Sequence, residues 1–299
     1  MSLKENVSPP ARADNVTAAL LLAGAMLAFT LETLVVRWLG TGAAVSQAVL
    51  FRALGQVLVI LGWSMMRGRW PSLKTEHRWL HVARGLVSIS GWWLYYWTFQ
   101  QLDVALATLL TFASSLFVIV LAGPVLGERV RAASWIATLG GFGGIAIASG
   151  VGTIAFDYAV LIGLLSAALS ASIVFLTRAL AQTEDTLTIM TYIGLFVLSA
   201  AIPVAWINWV PLGLFNGALL MGAGTLGALG MILMIEAYGR GEAAVLAPIP
   251  YVRIAFAIAL GYGIFGEVPS LHMLVGAAIV MGCALFALRH EHKRKALIP

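Results

Sequence analysis

Charge is what this sequence has least of. Asp, Glu, Lys and Arg make up 10% of its 299 residues, where a soluble domain carries about 25%. So little charge cannot coat a surface that faces water. With 61% hydrophobic residues and a mean hydropathy of +0.94, lipid is left as the solvent. Cysteine is almost missing: Cys283 stands alone inside an apolar run, which excludes an intrachain disulfide and reads as a small packing residue. The phosphate-cradling pattern G-x-x-x-x-G-K-[ST] does not occur, so ATP hydrolysis by this chain is not expected. H-E-x-x-H is absent as well, and His77, His81, His272, His290 and His292 fall at loops, helix ends or the basic tail RHEHKRK. No metal or other cofactor is expected from such a set. No paired acids or nucleophile–base couple stands at one depth, which argues against a membrane-embedded enzyme.

What is present is a series of long apolar runs. A helix crossing the hydrocarbon core needs about 20 apolar residues. Windows of that length place ten spans at roughly 16–37, 44–66, 79–100, 104–125, 132–151, 158–179, 186–207, 214–236, 243–264 and 271–289. The runs are continuously apolar, unlike the alternating strands of a membrane β-barrel. The gaps are only a few residues long, so no soluble domain interrupts the chain. A net charge of +5 and a pI of about 9.6 would suggest nucleic acid in a soluble protein. Here most basic residues sit in the gaps, and no nucleic-acid partner is expected.

Those basic residues set an orientation, because cytoplasmic loops carry the Lys and Arg excess. With the N-terminus inside, the inner segments collect Lys4, Arg12, Arg67, Arg69, Lys74, Arg78, Arg84, Arg129, Arg131, Arg178, Arg240, Arg289, Lys293, Arg294 and Lys295. The outer side receives only Arg37, while Arg52 and Arg253 fall within spans. A multi-pass plasma-membrane protein with both termini cytoplasmic is predicted. Residues 1–15, with Pro9 and Pro10 and no signal-peptide core, read as a disordered cytoplasmic tail. Residues 290–299 read as a basic cytoplasmic tail on the inner leaflet.

The two halves repeat. LDVALATLLTFASSLFVIVLAGPVLGE ends at Glu128 and GEAAVLAPIPYVRIAFAIALGYGIFGE ends at Glu267, 139 positions later. Equivalent positions are five spans apart, and five is odd, so one copy is inverted relative to the other. Residues 16–151 and 152–289 are the expected repeats. Inverted repeats are a common construction of secondary transporters, with substrate bound near the midplane at their interface.

The residues that carry this repeat resemble a known family. Ala105, Ala107, Gly127-Glu128-Arg129-Val130, Trp135 and Gly140 to Gly144 in the first copy, with Ala243-Ala244, Pro248, Tyr251, Gly266-Glu267 and Gly276 in the second, resemble the EamA-type ten-helix exporters of the drug/metabolite transporter superfamily. The resemblance covers residues 18 to 289. It implies an all-α integral membrane fold of ten transmembrane helices, in two inverted five-helix repeats around a central cavity. It also implies export of amino acids, aromatic ones included, or of similar small molecules. One departure stands out: Pro248 and Pro250 align with Leu109 and Thr111, so only the second copy has a proline break. An antiporter of nucleotide sugars or phosphorylated metabolites is the alternative. It would need a cluster of intramembrane Lys or Arg, and only Arg52 and Arg253 qualify.

Ionisable groups inside a bilayer are costly and point to function. Glu32, Arg52 and Arg253 are the candidates: an acid and a base would suit a zwitterion, whereas Glu32 with Arg52 can equally be a structural ion pair. Arg84 reads as an anchor at the inner edge. Residues 88, 92, 95, 96 and 99 share a face of the third span, and that face, joining Ser88 to Trp92, Tyr96 and Phe99, can line a pocket, although the outer aromatic belt competes for the same rings. Thr108, Phe112 and Ser115 share a face of the fourth span. Ser166 and Ser170 are one turn apart in the sixth. Tyr251 and Arg253 follow the hinge candidates Pro248 and Pro250, whose break frees backbone carbonyls. Gly140/Gly144, Gly123/Gly127 and the Gly222–Gly230 series have the spacing of close helix contacts. That spacing is assigned to packing within one chain rather than to dimerisation, so a monomer in the lipid bilayer is expected.

Overall fold

The structure is a computed structural model that describes residues 15–68, 70–71, 73–114, 116–118, 121, 132–149, 157–180, 183–240 and 249–295. Within these lie ten α-helices: α1 (Asn15–Leu39), α2 (Val45–Arg67), α3 (Arg78–Gln101), α4 (Val104–Thr111), α5 (Ala132–Ala148), α6 (Tyr158–Leu180), α7 (Thr186–Ile207), α8 (Leu214–Arg240), α9 (Val252–Phe265) and α10 (Leu271–Lys295). Helical backbone recurs after α4 at 113–114 and 116–118. The tail at 1–14, Ser115, Gly123, the segment Gly127 to Val130, Ala243-Ala244 and Pro248 lie outside the described residues. α10 continues through 290–295, which the sequence reads as tail.

Among the described residues, five helical stretches are long and apolar enough to cross a membrane: Val16–Gly42, Val45–Met66, Tyr158–Thr177, Leu187–Ile207 and Leu214–Ala237. Shorter apolar helices lie at Val104–Val118, Thr138–Ala148, Ile249–Phe265 and Leu271–Cys283. α3 is 24 residues long, but Arg78, His81 and Arg84 and its Tyr, Trp and Gln residues hold its hydropathy down. Helices are imposed by the solvent: hydrocarbon offers no hydrogen bond, so backbone groups must pair within the segment. Side-chain hydroxyls obey the same rule by bonding back to a preceding carbonyl. Thr30 donates to Met26 O at 2.8 Å, Ser170 to Ser166 O at 2.9 Å and Thr191 to Leu187 O at 2.7 Å. Helix ends use ordinary devices. Asp185 accepts from Thr188 N at 2.9 Å to start α7, and left-handed Gly68 and Gly266 end α2 and α9.

The helix pairings obey an exchange of halves. Adding five to a label turns α1–α8 into α6–α3, α2–α8 into α7–α3, and α1–α9 into α6–α4, and all of these pairs pack. α2–α7, α4–α9 and α5–α10 map onto themselves and pack as well. The exchange is incomplete, since α1–α3 and α2–α3 pack while α6–α8 and α7–α8 are at most weak among the described residues. Directions follow from the ends. Arg37, at the end of α1, meets Gln100 at the end of α3, Asp103 before α4 and Glu267 after α9. Tyr158, at the start of α6, reaches Trp97 near the end of α3. Thus α1 and α3 finish at the end of the bundle where α6 begins, and α4 begins where α9 finishes. Counterparts run in opposite directions, which makes the repeat inverted.

Two glycine contacts set the closest approaches. A Cβ at Gly224 of α8 would lie 2.1 Å from Phe51 O of α2, and one at Gly276 of α10 would lie 2.3 Å from Gly144 O of α5. Both neighbours are backbone and cannot swing aside. Without a hydrophobic force between helices in lipid, such contacts carry much of the packing. Gly276→Val is expected to part α5 from α10 and to cost about 1–3 kcal/mol, read as a lower apparent Tm of the detergent-purified protein. Gly143→Val on α5, where a Cβ meets nothing within 4 Å, is expected to stay near wild type.

Candidate functional site

The intramembrane ion pair is assembled from three helices. Glu32 of α1 receives Arg52 Nε of α2 at 2.8 Å, and the Tyr96 hydroxyl of α3 donates to the same carboxylate oxygen, Oε1. All three side chains are buried. The Trp92 ring supports Arg52, with the guanidinium carbon 4.7 Å from the ring centroid. α8 closes the other side: a Cβ at Gly227 would fall 2.3 Å from Glu32 Oε2, so only glycine admits the carboxylate. Arg52 therefore meets Glu32 as a fixed, desolvated pair that ties α1, α2 and α3 together. Ser88 lies elsewhere on α3, accepting from Arg84 and donating to Arg84 O at 2.6 Å. Arg84 itself is buried and donates to Thr177 of α6 at 2.8 Å. It is not the edge anchor expected from the sequence; the hydroxyls of Ser88 and Thr177 give its guanidinium partners inside the bundle.

Beside the pair lies a cavity of about 320 Å³, at the small end of the roughly 300–1,000 Å³ typical of small-molecule sites. Met26 and Phe29 of α1, Tyr95, Thr98 and Phe99 of α3, Ala107, Leu110 and Thr111 of α4 with Phe112 and Ser114 just beyond it, Gly163, Ser166, Ala167 and Ser170 of α6, and Arg253 of α9 line it. Both halves contribute. Of the sequence candidates, Phe99, Phe112, Ser166, Ser170 and Arg253 meet here. Glu32, Arg52, Ser88, Trp92, Tyr96, Thr108 and Tyr251 are not in the lining. Tyr251 stands one layer behind, stacked on Phe112 with centroids 4.9 Å apart, next to the 3-10 turn Ile249–Tyr251 that contains Pro250. Thr108 is fully buried and its hydroxyl has no hydrogen-bond partner.

The Ser and Thr hydroxyls of the lining share one polarity. Thr98 donates to Leu94 O, Thr111 to Thr108 O, Ser114 to Thr111 O, Ser166 to Gly91 O and Ser170 to Ser166 O. Each proton is committed to a helix carbonyl, which leaves oxygen lone pairs for the cavity. Sequence reading missed Thr98, Thr111 and Ser114 as lining, and placed Tyr95 on the right face without choosing it. The signal was present: Gly163, Ser166, Ala167 and Ser170 are spaced as one helix face, small enough to leave room opposite the α3 rings.

A polar clamp stands at the end of the bundle where α1 and α3 finish. Arg37 donates to Gln100 O at 3.0 Å, to Glu267 Oε1 at 3.2 Å and to Asp103 at 3.4 Å. Glu267 also accepts from Val104 N at 2.9 Å, capping α4. α1, α3, α4 and the turn after α9 are thereby held at one point. Burial holds the Glu267 carboxyl above its ordinary value of 4.5; the Val104 amide and Arg37 oppose the rise and Asp103 adds to it. At the other end, His81 of α3 meets Glu184 at 2.6 Å, Thr75 donates to Glu184, and the His81 ring stacks on Tyr192 at 4.0 Å. This ties the α2–α3 and α6–α7 connections together. No group of three or more metal-ligating side chains occurs among the described residues.

Removing one partner of a buried ion pair leaves the other charge uncompensated. Arg52→Gln is expected to destabilise the protein by about 3–5 kcal/mol, while the double variant Glu32→Gln/Arg52→Gln recovers most of that loss. Thermal unfolding of the purified protein in detergent distinguishes the two outcomes.

Comparison with known proteins places this architecture. Residues 16–150 match the EamA-like transporter family. The chain is 27% identical over 257 residues to the S-adenosylmethionine uptake transporter of Rickettsia prowazekii, covering 86% of this chain and 87% of that protein. It is 28% identical over 289 residues to the riboflavin transporter of Rhizobium johnstonii, covering 96% and 95%. It is 28% identical over 242 residues to the pseudopaline exporter CntI of Pseudomonas aeruginosa, covering 80% and 84%. A solved crystal structure shares the fold with a TM-score of 0.62 at 19% identity, over 93% of this chain and 98% of the other. These relatives are named as transporters rather than enzymes, and with residues 16–150 matching the EamA-like transporter family the similarity is that of a multi-pass membrane transporter of small metabolites.

Proposed function

We propose that this chain is a secondary transporter of amino acids or similar small metabolites in the plasma membrane, working by alternating access with both termini in the cytoplasm. The observation that carries the reading is a cavity of about 320 Å³ walled by helices of both inverted halves; the Arg37–Glu267–Asp103 clamp ties α1, α4 and α9 at one end of the bundle. A site at the seam of inverted repeats can be opened to either face by tilting one half against the other. The Lys and Arg asymmetry puts the clamp on the outer face, where in this reading it holds the outer end closed. The named relatives include both uptake transporters and an exporter, and the sequence resemblance favours export. The cavity's hydroxyl oxygens and single guanidinium suit a small polar solute better than a polyphosphate.

In this scheme substrate leaves when the clamp parts and α4 and α9 separate at their outer ends. α5–α10, bound through Gly144 and Gly276, is the fixed seam, and the turn at Pro250 is the place where α9 can bend. Glu267 links the clamp to pH. Its pKa is raised by burial, and hydration on opening would return it toward the ordinary value. The carboxyl therefore takes up a proton as the outer end closes, so acidification favours closure and rising pH favours opening.

Two measurements test the scheme. Purified protein reconstituted in liposomes is expected to give saturable flux of labelled amino acids from a mixed panel; no saturable flux of any would remove the amino-acid assignment. Ala107, a buried cavity residue, replaced by cysteine in a Cys283→Ala background, reports outer opening through a membrane-impermeant thiol reagent. Labelling, normalised to an exposed cysteine on the same face, is expected to fall as pH drops from 8 toward 5. Glu267→Gln is expected to flatten most of that dependence. A wild-type response of the opposite sign would break the link between Glu267 and the outer closure.

A further inference from the structure

Among the described residues, two buried arginines of the bundle, Arg84 and Arg253, have no carboxylate within ion-pair distance; Arg84 is held by the hydroxyls of Ser88 and Thr177 away from the cavity, whereas Arg253 stands on the cavity wall. Glu32 and Arg52 neutralise each other at 2.8 Å. Arg253 has no carboxylate within ion-pair distance among the described residues, although it is only 8% exposed. Its Nη2 donates to the Tyr95 hydroxyl at 2.5 Å and to Phe29 O at 3.4 Å, and its Nε, buried, has no partner at all. Three rings, Phe29, Tyr95 and Phe99, lie 5.9–6.0 Å from the guanidinium carbon. Rings and neutral oxygens soften a buried cation but do not neutralise it. The same guanidinium forms part of the cavity wall, so the missing anion has a place to sit.

We propose that the transported molecule carries a carboxylate that docks on Arg253, with its N–H groups accepted by the hydroxyl oxygens of α4 and α6 and its apolar part against Phe29, Phe99 and Phe112. This deepens the transporter reading above and rests on it. One carboxylate neutralises the one guanidinium on the cavity wall, and a planar fork matches a planar carboxylate. A phosphate dianion on the same single arginine leaves a buried negative charge. A cation without an acid group would add to Arg253 a second positive charge, because Glu32 is held by Arg52 and Tyr96 and walled from α8 by Gly227. The pattern also refines the zwitterion expectation: the ammonium of an amino acid is received by hydroxyl oxygens, not by Glu32. The cavity's size confines the solute to about that of a single amino acid.

Four probes on one aromatic body separate these classes: 3-phenylpropionate, L-phenylalanine, phenethylamine and phenyl phosphate. Each is titrated against the purified full-length protein, and thermal stabilisation is read. The two carboxylates are expected to stabilise and phenethylamine and phenyl phosphate are not. In Arg253→Lys the concentration giving half the effect is expected to rise about tenfold or more, and in Arg253→Gln the effect is lost. Arg253→Lys retains the charge and guards against a glutamine variant that does not fold. Equal stabilisation by phenethylamine, stabilisation confined to phenyl phosphate, no stabilisation by any probe, or an undiminished carboxylate response in Arg253→Lys would each overturn the proposal. Liposome flux keeps the two readings apart. Flux of amino acids with no carboxylate preference sinks the anchor and leaves the transporter, whereas carboxylate binding without flux keeps the anchor and sinks the transporter.

Discussion

The constraint on which this molecule depends is the absence of water from its solvent. In hydrocarbon each polar group must find its partner in the protein. The backbone does so by being helical, and the buried hydroxyls of Thr30, Thr98, Ser166 and Ser170 do so by returning their protons to helix carbonyls. The rule reaches its most expensive case in Glu32 and Arg52. Neither is tolerable alone, and the pair needs Tyr96, Trp92 and the missing side chain of Gly227 to be enclosed. A fold under this rule makes its exceptions conspicuous. Arg253 satisfies the rule on one nitrogen and breaks it on another, and it does so on the wall of the central cavity.

Close packing supplies what the hydrophobic effect cannot between helices in lipid. The α1–α8 and α3–α6 pairs, exchanged by the repeat, form two broad walls, and α5–α10 forms a seam through Gly144 and Gly276. Between them α4 and α9 meet through the Phe112–Tyr251 stack. Backbone-to-backbone contacts at glycines have no side chain to rearrange, which sets them apart from the side-chain contacts that wall the cavity.

How much of this the sequence revealed varies with the range of the interaction. Ten apolar runs and the repeat ending at Glu128 and Glu267 are local or periodic signals, and they survive in the helix order and in the half-exchange of pairings. The ion pair of Glu32 with Arg52 was legible as one of two readings, because charges so rare in a membrane core have few places to go. The lining was less legible. Residues 88, 92, 95, 96 and 99 do share a helix face, but a face does not say which neighbour it meets. Trp92 and Tyr96 turn toward Arg52 and Glu32, while Tyr95, one position away, turns to the cavity with Phe99. The clamp was hidden for the same reason. Arg37 and Glu267 are 230 residues apart and meet only once the inverted halves are superposed in space.

That rotation about α3 has a consequence for coupling. Within two turns this one helix holds the closed ion pair through Tyr96, the Arg253 guanidinium through Tyr95 and the clamp through the Gln100 carbonyl. The pair fixes α3 against α1 and α2, so its position cannot drift with the occupancy of the cavity. On the proposed reading an anion arriving at Arg253 would compete with the Tyr95 hydroxyl for the same guanidinium, and because α3 is fixed by the pair, α9 would be the helix to yield. α9 ends at the turn that carries Glu267. A small displacement of α9 along α3 therefore changes the contact between Arg253 and Tyr95 at one end and the contact between Glu267 and Arg37 at the other. Neutralising the cavity and loosening the clamp become two readings of one helix movement, which is the physical requirement for tying substrate occupancy to opening.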